Sequence, residues 1–371
     1  MAEAASVVAT DYASAREAEL QREAACWDPP SDAAAIPAAG PGDIPCLDLA
    51  PYLEALAGAA SVPSAGATKR VHEARVEMAS ALRDAGERTG FCAVRGFESH
   101  IPAGLLEDAY SAAGAFHALP EREKLEYEMD NSDKVGHIGG VGYLREGNTK
   151  LPARDKPNFN ESFLIKREHG PRNITLHRMP WPRSTHAFDG GAFRDIVTRT
   201  AAAFESLAQA LLPLYACALA LDPDYFAPSF ESPLFRMRLS RYAPTPAGEF
   251  GINPHIDTSF FTLLATTDAT GLVVFSHQRR EWVRAQHIPG ALIVNTGETL
   301  SRITNDQWPA TRHYALNPSS AHSGAARYSI PFFFNPTATA KMHVVPTCCR
   351  DCHPKYPPVS YLEGQGVAQG E

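Results

Sequence analysis

The sequence predicts an α+β fold, with a helical layer contributed by the first half of the chain and a β core by the second. Three observations carry this. Apolar residues recur at helical spacing over long windows before residue 221, and after Pro233 the period shortens to that of strands. Clusters of Gly, Pro, Asn and Asp then separate short apolar runs at even intervals, the pattern of a sandwich or barrel. Helices first and strands afterward place helices on one side of a β core.

Residues 1–42 are rich in alanine and end in Pro29-Pro30 and Pro37-Ala-Ala-Gly-Pro41-Gly42, which predicts a flexible N-terminal segment with at most a marginal helix. Ordered structure is expected to begin with a short strand at Ile44–Leu49. Residues 55–68, rich in Ala, Gly and Ser, read as a loop insertion. From Lys69 to Arg88, Val71, Ala74, Met78, Ala81, Leu82 and Ala85 fall on one helical face, and Gly86 and Gly90 supply the stop. A strand at Phe91–Arg95, a helix from Pro102 to His117 and another starting at Pro120 follow, the last with Glu121 and Glu123 at its positive end.

Glycines and prolines crowd residues 136–160, which predicts a mobile substrate loop leading into a strand at Phe159–Ile165. Gly191–Leu221 is the strongest helix, with Phe193, Ile196, Val197, Ala201, Phe204, Leu207, Ala208, Leu211 and Leu212 on one face. Strands are then expected at 234–242, 260–266, 272–276, 281–284, 291–295, 312–316 and 327–335. This divides the chain into the flexible segment 1–42, an N-terminal region 43–190, a supporting helix with catalytic core 191–346, and a tail 347–371.

With 371 residues, the chain is long enough to bury a large core, and 44% hydrophobic against 20% charged residues is the balance of a globular protein. A net charge of −8 without any Lys/Arg-rich run argues against nucleic acid or an anionic membrane as partner. The longest apolar run, Ala208–Leu221, falls short of the roughly 18 residues of a membrane span. The first thirty residues carry Glu3, Asp11, Glu17 and Glu19 and no hydrophobic centre, so a cytoplasmic protein with reduced thiols is expected.

Chemistry concentrates at Asn253-Pro-His255-Ile-Asp257-Thr258. On an extended strand, His255 and Asp257 project to the same side, offering an imidazole and a carboxylate on one wall. His313 is the candidate third ligand. Two histidines and one carboxylate on one face of an ion with open positions suit non-haem Fe(II) and oxygen chemistry. Arg327 heads a strongly apolar strand, where a guanidinium is costly without a partner, and its planar fork matches a carboxylate. Ser329, two residues on, shares its face and can donate to the same acceptor.

Taken together, Asn253-Pro-His-Ile-Asp257, Phe261-Thr-Leu-Leu264, Gly271-Leu-Val-Val274, Pro289-Gly-Ala-Leu-Ile-Val-Asn295, His313 and Arg327-Tyr-Ser-Ile-Pro-Phe-Phe333 resemble the isopenicillin N synthase-like 2-oxoglutarate/Fe(II)-dependent dioxygenases. Ile44-Pro-Cys-Leu-Asp-Leu49, Gly90-Phe-Cys-Ala-Val94 and Phe116-His-Ala-Leu-Pro120 extend the likeness, which spans residues 43–346. The resemblance implies a distorted double-stranded β-helix (jelly roll) core with an N-terminal helical layer and a long supporting helix. It implies Fe(II) held by His255, Asp257 and His313. It also implies that Arg327 and Ser329 bind the distal carboxylate of 2-oxoglutarate, with Tyr242 joining them. O2 would then be consumed and 2-oxoglutarate converted to succinate and CO2 while a small molecule is hydroxylated, desaturated or cyclised. The chain departs from the family in Tyr314-Ala315, where Arg-Val is usual, and in the longer stretch between His313 and Arg327, which predicts an enlarged loop over 317–325.

Asn160, Phe163, Arg145 and either Phe332 or Phe334 are candidate substrate contacts beneath the 136–160 loop. Two rival readings stand beside this one: a same-fold Fe(II) oxidase that does not use 2-oxoglutarate, and a non-catalytic cupin-like binding protein. Cys349-Arg-Asp-Cys352-His353 has the spacing of covalent haem attachment, but attachment needs export and no signal is visible. A zinc site on Cys348, Cys349, Cys352 and His353 would be crowded, so exposed thiols on a tail are expected there.

Overall fold

The computed structural model describes residues 29–129, 140–147, 157–167, 179–245, 249–267, 271–318, 325–349 and 353–364. Its first half holds β1 (Cys46–Asp48), α1 (Ala50–Ser61), α2 (Ala65–Arg88), β2 (Phe91–Arg95), α3 (Leu105–His117), α4 (Glu121–Leu125), β3 (Gly142–Leu144) and β4 (Glu161–Lys166). Next come α5 (Gly190–Ala218), β5 (Leu234–Tyr242), β6 (Phe250–His255), β7 (Phe261–Thr266), β8 (Leu272–Ser276) and β9 (Glu281–Arg284). The chain continues through β10 (Leu292–Thr296), α6 (Glu298–Ile303), β11 (His313–Leu316), β12 (Arg327–Asn335), β13 (Lys341–Met342), β14 (Val359–Ser360) and α7 (Tyr361–Gly364).

Two sheets form the walls of a jelly roll. The large one has eight strands in the order β1-β2-β10-β7-β12-β5-β4-β3, and the small one has four in the order β6-β11-β8-β9. Side chains alternate across the large sheet, so each strand divides between an outer face under the helices and an inner face toward the small sheet. On β12 the outer set is Ile330, Phe332 and Phe334, all fully buried. Phe332 stacks on Phe204 of α5 at 5.4 Å between ring centroids, and Tyr215 stacks on Phe261 of β7 at 4.7 Å.

Helix α5 is the support the sequence predicts. Asp189 caps it by accepting from the N–H groups of Gly191 and Ala192, and Arg83 of α2 donates to the Ala218 and Cys217 carbonyls at its other end. It runs through Pro213 and is long and apolar enough to cross a membrane, but most of that apolar stretch is buried within the protein.

Four expectations need correction. Residues 55–61 and 65–68 are helical, in α1 and the start of α2, with only 62–64 as a connection between them, rather than one loop. Alanine favours a helix by propensity without any apolar contrast, so periodicity missed it; Tyr52 and Leu53 supply the only buried anchors of α1. Within the 136–160 loop, Gly142–Leu144 pairs with β4 as an edge strand; residues 130–139 and 148–156 lie outside the described residues. Of the segment 1–42, residues 1–28 lie outside the described residues, and 29–42 pack against the small sheet rather than standing clear of it: Ile36 is buried among Phe250, Val273, Trp282 and Tyr314, and Pro30 accepts from the Tyr314 hydroxyl at 2.6 Å. That contact also explains Tyr314, whose side chain anchors the N-terminal segment on the outside of the small sheet. Finally, the thiol of Cys348 is buried and that of Cys349 half-buried, not exposed, because the tail folds back through the β13–β14 pair. Cys352 and residues 319–324 of the enlarged loop lie outside the described residues.

Candidate active site

Strands β6 and β11 are antiparallel neighbours, and their register sets His313 directly opposite His255. The two rings lie 4.4 Å apart between centroids. Asp257 does not ride on the same strand: β6 ends at His255, and the carboxylate comes from the turn before β7. It still arrives between the histidines. Asp257 Oδ1 lies 3.5 Å from His255 Nε2 and 3.7 Å from His313 Nε2. One donor atom from each of the three residues falls within 4.8 Å of the others, and this is the only such cluster of three or more His, Cys, Asp or Glu among the described residues.

The second ring of contacts fixes which atoms face inward. His255 Nδ1 meets the Asn253 carbonyl at 2.8 Å and His313 Nδ1 meets the Thr311 carbonyl at 3.0 Å. A carbonyl only accepts, so each Nδ1 carries the proton and each Nε2 keeps its lone pair for a metal. Asp257 Oδ2 accepts from Thr262 Oγ1 at 2.6 Å and from Asn295 Nδ2 at 2.8 Å, which leaves Oδ1 as the ligand atom. Burial alone would raise the Asp257 carboxyl, but the His313 charge, the His255 contact and the Asn295 hydrogen bond hold it well below the usual carboxylate range. Burial, aided by the neighbouring His255, pushes the His313 imidazole down to about 4, so it is neutral near pH 7. Two imidazoles with Nε2 turned inward and an ionised carboxylate are the donor set that Fe(II) takes, and the set fits.

Arg327 sits on the inner face of β12, only 3% exposed. Its guanidinium lies over the Tyr242 ring at 3.7 Å, and one Nη donates to the Leu316 carbonyl at 3.3 Å. Its Nε has no hydrogen-bond partner and no carboxylate pairs with it among the described residues. The internal ion pair that could have explained this arginine is therefore missing, and burial lowers its affinity for its proton. Ser329 Oγ donates to the Tyr242 hydroxyl at 3.4 Å beside it. Gly271 makes room: a Cβ there would stand 2.2 Å from the Leu316 carbonyl oxygen and 2.9 Å from Arg327 Nε. A buried guanidinium fork beside two hydroxyls suits the distal carboxylate of 2-oxoglutarate.

The predicted substrate contacts fare less well. Phe332 and Phe334 share the outer face with Phe163, which packs 4.8 Å from Phe116 and 5.3 Å from Phe193 between centroids; all three build the core under the helices. Arg145 pairs with Glu128 at 3.1 Å near the surface. Asn160 alone of the five lies on the inner wall, buried, with its Nδ2 donating to Ser162 Oγ at 3.3 Å. Thr262 and Asn295, which position Asp257, carried no predicted role. Their signal was a polar side chain in the middle of an apolar strand, which must find a partner when buried.

Comparison with known proteins agrees with this geometry. The model of the 2OG-Fe(II) oxygenase superfamily matches residues 233–336, and that of the N-terminal region of non-haem dioxygenases in morphine synthesis matches residues 44–184. The 2-oxoglutarate-Fe(II) type oxidoreductase hxnY of Emericella nidulans is 30% identical over 300 residues, 77% of this chain and 82% of the relative. A 2OG-Fe(II) oxygenase family protein from Caulobacter crescentus superposes with a TM-score of 0.69 at 22% identity, over 87% of this chain and 97% of its own. JOX2, crystallised with 2OG, Fe and JA, superposes with a TM-score of 0.64 at 20% identity, over 89% of this chain and 85% of its own.

Proposed function

Because this chain belongs to the 2OG-Fe(II) oxygenase superfamily, we propose that His255, Asp257 and His313 hold its iron and that Arg327, Ser329 and Tyr242 anchor its 2-oxoglutarate. The protein is a 2-oxoglutarate-dependent non-haem iron dioxygenase that couples oxidative decarboxylation of 2-oxoglutarate to succinate and CO2 with oxidation of a small molecule. Fe(II) held by these residues would supply a redox-active Lewis acid for the 2-oxo acid and O2.

The chain's own residues do the rest. The two carbonyls behind the histidines take the Nδ1–H groups and so turn both Nε2 atoms inward, and Thr262 and Asn295 keep one carboxylate oxygen turned inward. Arg327 neutralises the far carboxylate of the cosubstrate, and with Tyr242 it fixes the direction in which the 2-oxo group points. Phe91, edge-on to His313 at 5.4 Å, screens that ligand from water. The single observation that carries this reading is the approach of two Nε2 atoms and one carboxylate oxygen to a common point.

The test is oxygen uptake and succinate formation by the full-length protein after anaerobic Fe(II) loading, with and without 2-oxoglutarate. One iron per chain and uptake that requires 2-oxoglutarate are expected. Uptake independent of 2-oxoglutarate would establish the oxidase instead, and absence of stoichiometric metal would establish a binding protein.

A further inference from the structure

The inner wall of the large sheet holds more positive charge than the cosubstrate uses. Alternation along β5 puts Arg236 and Arg238 on the same face as Tyr242, and the register sets Tyr242 opposite Arg327 and Arg236 opposite Phe333. On the other side of β5, Lys166 of β4 stands opposite Arg236. Three basic side chains therefore occupy one end of a wall whose other end is Arg327.

Phe333 organises two of them. The Arg236 and Arg238 guanidinium groups lie 5.3 and 5.8 Å from its ring centroid, a cation–π arrangement that holds both against one ring. Phe333 is itself opposite Thr262 in the register, and the Thr262 hydroxyl is bound to Asp257. Arg238 lies within electrostatic reach of both Asp257 and Tyr242. The pair thus stands level with the candidate iron, one strand beyond β12, while the cosubstrate anchor lies farther along the same wall.

The arrangement is costly as it stands. Arg238 Nε is buried with no hydrogen-bond partner, and no carboxylate pairs with Arg238 among the described residues. Burial, with Arg236 and Arg238 close by, lowers the Lys166 amine to about 7. Arg238, half-buried and flanked by like charges, destabilises the protein unless something negative joins it.

We infer that Arg238, with Arg236 and Lys166 beside it, is a subsite for an oxyanion of the substrate, so that the small molecule oxidised here carries a carboxylate or a phosphate. This rests on the proposed function, because it is the iron and cosubstrate positions that leave Arg238 on the substrate side.

The test uses full-length protein holding Fe(II) and saturating 2-oxoglutarate under argon, titrated calorimetrically with benzoate, octanoate and phenyl phosphate and with benzamide, octanamide and phenol as neutral counterparts. At least one anion is expected to bind ten-fold or more tightly than its counterpart without displacing 2-oxoglutarate, and Arg238→Gln is expected to erase that preference, with Arg238→Lys restoring part of it. Preference confined to the carboxylates or to phenyl phosphate supports the inference and names the oxyanion. Equal affinities for anions and neutral counterparts in the unmodified protein overturn it, whether or not the variants fold. Displacement of 2-oxoglutarate by the anions, or a loss of 2-oxoglutarate affinity in Arg238→Gln matching that of Arg327→Met, also overturns it by giving Arg238 to the cosubstrate. Failure of the unmodified protein to hold Fe(II) and 2-oxoglutarate at all would instead overturn the proposed function.

Discussion

His255 and His313 face each other across one rung of the β6–β11 ladder, and Asp257 reaches the gap between them from the turn that follows. His313→Ala removes one of the three proposed ligands while leaving the other two in place, so stoichiometric Fe(II) is expected to be lost. Metal content after anaerobic loading and desalting reads this directly; retention of one iron per chain would show that His313 is not a ligand.

Thr262 and Asn295 hold Asp257 without belonging to the metal cluster themselves. Losing such an outer partner typically weakens metal affinity by about 10–100-fold. Thr262→Val keeps the shape and removes the donor, so it is expected to raise the Fe(II) Kd within that range, and Asn295→Ala likewise. A competition titration against a chelator measures the change.

Arg327→Met removes a charge-assisted pair of hydrogen bonds, each contributing about 1.5–3 kcal/mol. Half-maximal succinate formation is then expected to require at least about 100-fold more 2-oxoglutarate, with iron content unchanged. An unaltered 2-oxoglutarate requirement would remove Arg327 from the cosubstrate site.

Gly271→Ala tests the same anchor through its neighbour. The added methyl would collide with the Leu316 carbonyl and with Arg327 Nε, so the guanidinium must shift. The expected result is a raised 2-oxoglutarate Kd with full Fe(II) binding, both read by calorimetry.

Under the helical layer, Glu161 accepts from Lys124 and Tyr143 at 2.6 Å each and pairs with Arg241 at 2.7 Å, with His117 3.5 Å away. Burial would raise this carboxyl, but His117, Lys124 and Tyr143 hold it far below the usual range. A depressed folded value means stability that is complete above the unfolded value of about 4.3 and is lost as pH falls from there toward the folded one. Glu161→Gln strands the buried Lys124 and the half-buried Arg241 and is expected to cost about 3–5 kcal/mol at pH 7. Denaturant unfolding should show the gap to the unmodified protein narrowing below about pH 4.

Much of this site could be read from the chain because its chemistry lies in residue type and near spacing. His255 and Asp257 are two apart, and Arg327 is conspicuous at the head of an apolar strand. The pairing of β6 with β11 could not be read, since register between distant strands depends on the whole sheet. Phe332 and Phe334 share the outer face of β12, and the parity of Arg327 and Ser329 assigns the inner face to Phe333 instead. The same parity on β5 exposes Arg238 and Arg236, which apolar patterning passes over. Helix α1 was hidden for a different reason, because alanine-rich sequence gives propensity without amphipathic contrast.

Both histidines belong to the four-stranded sheet, whereas the hydroxyl and amide that steady Asp257 belong to the eight-stranded one. An ion seated among these three groups therefore rivets two separate walls at the open end of the roll. Because only the native state offers that seat, loading should tighten the whole barrel, raising its melting temperature in step with free metal concentration. Stripping the ion should loosen the mouth first, which ties the enzyme's shelf life to the iron supply of its surroundings.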